Sequence, residues 1–128
     1  MTQFSDYLEN ALINATLRGI AYTTPATVYL ALYTSDPTDA DVGAEVNGGG
    51  YARQSVAFGA PSNGIASNSA NVTFPQATSG WGTVSHIGIR DASTAGNLLY
   101  YAPLTTARSI LTGDTLSFLT GQISVTLS

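Results

Sequence analysis

Three stretches of the 128-residue chain carry residue types able to do chemistry. The first is GGGYARQ, Gly48 to Gln54, where three glycines run into an aromatic and an arginine. Glycine-flanked backbone amides that open a helix can cradle phosphate, with a lysine and a Ser or Thr completing the site. The second is the polar run SDPTDADVGAEVNGGG. Its Asp36, Asp39, Asp41 and Glu45 are half of the eight acids in the chain. Hard oxygen ligands gathered in one loop could hold Ca²⁺. The third is WGTVSHIGIRD, which holds the only histidine, His86, with Ser85, Arg90 and Asp91 close by. A serine, a histidine base and an orienting acid are the parts of a nucleophilic triad.

Each stretch also has a plainer reading. The chain has no lysine, GGG feeds an alternating apolar run rather than a helix, and G-x-G-x-x-G spacing is missing. The triplet is therefore expected to be a mobile hinge ahead of a strand, not a nucleotide site. Arg53 is expected to pair with an acid of its own or a neighbouring subunit. The spacing D-x-x-D-x-D-x-x-x-E is not that of an EF-hand, and Asp36-Pro37 is a common turn starter. A solvated loop without metal is the expectation there. Strand alternation sets Ser85 and His86 on opposite faces, and Asp91 beyond the strand end. No G-x-S-x-G elbow is present. Neither a catalytic centre nor a cofactor is expected.

Composition narrows the classes further. Charged residues make up only 9% of the chain, against about 25% in typical soluble domains. The four cations are Arg18, Arg53, Arg90 and Arg108, and the net charge is −4. Nucleic-acid binding needs clustered Lys and Arg, so this balance argues against it. With no cysteine, thiol catalysis, thiolate ligation and disulfides are excluded together. The N-terminus lacks a signal-peptide pattern and no apolar run reaches membrane-spanning length, so cytoplasmic synthesis and no membrane partner are expected. A surface of uncharged hydroxyls with no mobile lysines costs little to order against a neighbour. That texture suits a protein that works in an assembly.

The elements that must position these residues are mostly strands. The chain reads as mainly β: one domain, residues 1–128, an antiparallel β-sandwich of about seven strands behind one N-terminal amphipathic helix. The helix is placed at 4–19 and the sandwich at 26–128. Phe4, Leu8, Ala11, Leu12 and Ala15 make one apolar stripe, Ser5 suits the N-cap, and Arg18 with Gly19 suits the other end. Ile13 and Leu17 lie off that stripe and are interface candidates. Thr27–Thr34 is apolar on both faces, which marks a central strand. Further strands are expected at 51–58, 70–74, 84–89, 97–102, 114–119 and 122–127, with turns at PSNG, STAGN and TGQ. In the strand at 51–58, Tyr51 and Arg53 share one face and join the interface candidates. Phe58 is the expected core anchor.

Taken together and in order, YLALYTSDPT, GGGYARQ and HIGIRD resemble a family of small phage virion proteins commonly labelled phage tail fibre protein. The resemblance runs from about Phe4 to Thr106. It implies a non-enzymatic structural protein of a tailed phage, located in the virion. A compact domain without a shaft suits surface tiling. The leading expectation is thus an oligomeric decoration (cement) protein, a trimer, contacting the major capsid protein. The alternative is a tail-fibre or baseplate-associated protein that contacts other tail proteins. A third reading is a carbohydrate-binding sandwich in which Trp81, Tyr100 and Tyr101 stack on sugar rings.

Overall fold

A computed structural model describes residues 2–127. The chain is mainly β with a single helix, and every strand pairing is antiparallel. It opens with a two-residue strand, β1 (Gln3–Phe4), followed by α1 (Asp6–Leu17). Then come β2 (Val28–Tyr33), β3 (Gln54–Val56), β4 (Ile65–Ser67) and β5 (Val72–Thr73). The chain ends with β6 (Gly82–Arg90), β7 (Leu98–Ile110), β8 (Ser117–Phe118) and β9 (Ser124–Thr126). Five strands form one sheet in the order β1-β7-β6-β2-β3, and the ribbons β4-β9 and β5-β8 complete the domain. The expected sandwich thus resolves into one dominant sheet and two small ribbons, with nine strands among the described residues in place of about seven.

The helix is shorter than its 4–19 pattern suggested. Ser5 takes extended backbone angles and its hydroxyl accepts from the Leu8 N–H, so the helix cannot begin earlier. Phe4 instead enters β1 and meets the Tyr100 ring edge-on at 5.3 Å. Of the expected stripe only Leu8 is buried, Ala11 and Leu12 are half-buried and Ala15 is exposed, and α1 packs against β7. Ile13 and Leu17 face the other way and are 52% and 79% exposed.

β2 is the central strand its composition called for, with Leu30 and Leu32 on one face and Ala31 and Tyr33 on the other, all buried. The first pair joins the main core with Val56, Phe74, Trp81, Val84 and Ile110; the second joins a smaller cluster with Leu98 and Tyr101. Burying each such large side chain is worth about 1.5–3 kcal/mol. Between 51 and 58 the ladder covers only Gln54–Val56, and the buried residue there is Val56. Phe58 is half-buried in an isolated bridge to Asn68 and packs on the core rim, so it is not the anchor expected.

β7 departs most from the sequence pattern. Expected to end at 102, it runs to Ile110, because β6 continues to offer partners as far as Gly82. The register is irregular on the way. Val84 faces Arg108 but His86 faces Pro103, so β7 holds extra residues opposite Ser85 and bulges there.

Candidate functional site

The glycine triplet is a fixed turn. Gly48, Gly49 and Gly50 all have positive φ, at +82°, +60° and +80°. The Gly49 carbonyl accepts from the Thr78 N–H and from the Trp81 indole, both at 2.9 Å. A Cβ on Gly49 would lie 2.8 Å from the Ser79 carbonyl and 2.9 Å from Trp81 Cδ1. The expected mobile hinge is therefore corrected: a bulky neighbour and two hydrogen bonds hold the middle glycine. The turn opens no helix, since α1 is the single helix among the described residues. That removes the arrangement in which such amides cradle phosphate.

What the turn delivers is Tyr51. Its ring stacks on Phe74 at 6.0 Å and meets Trp81 edge-on at 5.5 Å. Its hydroxyl accepts from the Leu32 N–H at 3.1 Å and donates to Glu45 Oε2 at 2.6 Å. Burial, reinforced by the Glu45 carboxylate, pushes the Tyr51 hydroxyl far up, so it stays protonated as that donor.

Glu45 also receives Arg53 through a two-pronged contact, Nε to Oε2 and Nη2 to Oε1, both 2.8 Å. Arg53 Nη1 goes on to the carbonyls of Ala92 at 2.9 Å and Ala95 at 2.8 Å. Arg90 repeats the pattern. It forks onto Asp41 at 2.8 and 2.9 Å, and it donates to the Tyr33 hydroxyl and the Gly96 carbonyl, both at 2.9 Å. Two guanidiniums and two carboxylates thus form a neutral cluster that ties the loop before β3 to the turn 91–97. Burial pushes the Glu45 carboxyl up, but the hydrogen bonds from Arg53 and Tyr51 outweigh it and hold the group below its usual range. Burial pulls Arg90 down, and Asp41 with the Tyr33 hydroxyl outweighs that, leaving it above the ordinary guanidinium value. Both arginine side chains are only 8% exposed. At that depth an unpaired charge would be costly, and the bidentate partners remove the cost.

The four acids singled out in the loop do not converge. Asp41 and Glu45 are engaged by arginine. Asp36 accepts from the Thr38 N–H at 2.9 Å, and Asp39 receives the Tyr101 hydroxyl. The carboxylates that do meet are Asp6, Glu9 and Asp39, within 4.8 Å of one another and all exposed. Exposed acids gather like this on ordinary surfaces.

The histidine motif is partly reassembled. The bulge opposite Ser85 breaks strict alternation, and Ser85 Oγ reaches His86 Nδ1 at 2.8 Å. The expectation that these two side chains point apart is therefore corrected. His86 Nε2 lies 3.9 Å from Asp36, beyond hydrogen-bond length. Asp91 does not orient the ring: it caps its own turn by accepting from the Asn97 N–H at 2.7 Å. The two clefts beside β7, one along 102–108 and one at Tyr100–Ala102, are not lined by Ser85 or His86.

The aromatic trio does not form a platform. Trp81 and Tyr101 are buried and Tyr100 is half-buried. Asn68 escaped sequence reasoning altogether. It is 2% exposed, its amide donates to the Ala70 and Leu119 carbonyls, and its oxygen accepts from the Ile123 N–H. The partner nearest in sequence lies two residues away and the others more than fifty, so no local pattern announces this role. No helix among the described residues is long and apolar enough to cross a membrane.

These arrangements define a mainly β structural domain whose charged and aromatic side chains hold its own loops in place. A family model, described as Podophage GP4 fiber I protein gp80, matches residues 3–126, and the chain belongs to that family. Membership in that family makes it a structural protein of a phage virion. No curated protein matches the chain.

Proposed function

We propose that this protein is a non-enzymatic part of the tail-fibre apparatus of a tailed phage, working as a homo-oligomer bound to other tail proteins. The observation that carries the reading is the family match across residues 3–126, whose description names a fibre protein. It favours the tail over the capsid, where a decoration protein would contact the major capsid protein. The internal use of Arg53, Arg90, Tyr51 and Trp81 supports a role as scaffold. Of the candidate subunit contacts, Tyr51 and Arg53 spend their polar atoms within the chain, so the proposal is built on the other two. Ile13 and Leu17 stay as candidates on their exposure, with a trimer as the proposed state.

The test is to fuse a small folded tag to the C-terminus and image intact particles by electron cryomicroscopy. Added density at the tail supports the proposal; density tiled over the capsid refutes it in favour of decoration. Light scattering of the isolated protein, with Leu17→Asp beside it, checks the oligomer. A monomer at tens of micromolar, unchanged by the substitution, counts against the helix contact.

A further inference from the structure

A cleft lies away from the arginine clamp, where β7 leaves its register. Between the pairs Val84–Arg108 and His86–Pro103, β6 advances two residues while β7 advances five. Leu104 to Ala107 lie opposite Ser85 alone, three residues in excess, and Leu104, Thr105 and Thr106 wall a cleft of about 540 Å³ with β8 and the start of β9 also lining it. That volume lies within the range of small-molecule sites, about 300–1,000 Å³. Ile87, Leu116 and Ile123 contribute apolar lining, and the half-buried Phe118 ring lies beside them. The polar lining includes hydroxyl residues, Thr105, Thr106 and Ser124 with Thr2 and Ser117, the Gln122 side chain, and one charge, Arg108.

Arg108 is the exception among the four arginines. Arg18 donates to Asn14, Arg53 is paired with Glu45 and Arg90 with Asp41. Arg108 has no acidic or hydrogen-bonding partner among the described residues, and no carboxylate lines the cleft. Arg108 is exposed, as are Thr105 and Thr106 beside it, so its guanidinium is open to a ligand arriving from solvent. The hydroxyls of Thr105 and Thr106 beside it also lack partners within the described chain.

We propose that this cleft binds a carboxylate-bearing oligosaccharide, of the uronic- or sialic-acid class. The Arg108 fork takes the carboxylate through two charge-assisted hydrogen bonds. The threonine hydroxyls and the Gln122 amide meet ring hydroxyls, and the apolar lining takes the C–H face of a sugar ring. An acidic peptide is the competing occupant with the same charge. It would be held as an added strand, and the bulge removes the regular ladder edge that such a strand needs. The site does not depend on whether the subunit sits on the tail or the capsid.

Titration by NMR and calorimetry with trigalacturonate and with 3′-sialyllactose, against neutral lactose, tests it. The expected result is saturable binding of at least one acidic sugar, about tenfold or more tighter than lactose. Shifts should centre on Thr105, Thr106 and Gln122. Arg108→Ala should weaken binding about tenfold or more with an unchanged melting temperature, and Thr106→Val should weaken it less. The proposal is overturned by the absence of saturation at about 20 mM for both acidic sugars. It is equally overturned if Arg108→Ala binds as the parent does, or if a Glu-rich peptide binds the cleft while both sugars are silent.

Discussion

Replacing Gly49 by alanine separates two costs that the glycine triplet combines. Gly48 and Gly49 both have positive φ, so alanine at either meets the left-handed penalty of about 1–2 kcal/mol. The spaces around them differ. A Cβ on Gly48 meets nothing within 4 Å, whereas on Gly49 it comes within 3 Å of the Ser79 carbonyl and the Trp81 ring. Relieving that contact must move backbone or a buried indole, and overpacking of this kind costs about 1–3 kcal/mol. The expected loss is therefore about 1–2 kcal/mol for Gly48→Ala and about 2–5 kcal/mol for Gly49→Ala. In a domain of this size each kcal/mol lowers Tm by about 3–5 °C. Urea and thermal melts of the two variants measure the difference directly. Trp81 is the only tryptophan, so its fluorescence reports locally whether the indole has left its buried seat against Gly49. Equal losses for the two variants, within about 0.5 kcal/mol, would refute the argument and return the triplet to a flexible hinge.

Arg90→Met leaves the buried Tyr33 hydroxyl and the Gly96 carbonyl without their donor and releases the exposed Asp41 carboxylate to water, and should cost about 1–3 kcal/mol in chemical denaturation. Arg90→Lys should recover only part of this, because an ammonium cannot reproduce the fork; full recovery would contradict the geometry. Glu45 gives a pH signature. Its folded pKa is depressed, so its contribution is fully present above the ordinary carboxylate value of about 4.3 and is lost as pH falls through the folded value. Melts from pH 6 downward should show Glu45→Gln with a shallower acid limb than the parent. Parallel limbs would mean the carboxyl is not held down. Added Ca²⁺ or EDTA should leave Tm unchanged, since Asp41 and Glu45 are already neutralised by arginine. A calcium-dependent rise would show a folded-state site that the arrangement of these acids does not suggest.

Much of the framework was legible without coordinates, wherever the governing interaction is local. Ser5 capping α1, the two-sided burial of β2, and Ile13 and Leu17 off the packed stripe all follow from periodicities of 3.6 and 2 within a few residues. The absence of lysine weighed against a phosphate loop, and the scarcity of cations required that Arg53 find an acid. Which acid it found was not legible. Glu45 and Arg53 are eight residues apart, but Asp41 and Arg90 are separated by forty-nine, and only the path of the loops between strands brings them together. The same holds for Trp81 beneath Gly49, for Asn68 between ribbons, and for the bulge that turns Ser85 toward His86 and leaves Arg108 beside an open cleft. Alternation describes which face a residue takes while the ladder is regular. Where a strand gains residues, or where a polar side chain must find a distant partner, the choice belongs to the packing of the whole domain, because burial makes an unpaired group costly and only the assembled fold determines which groups are within reach.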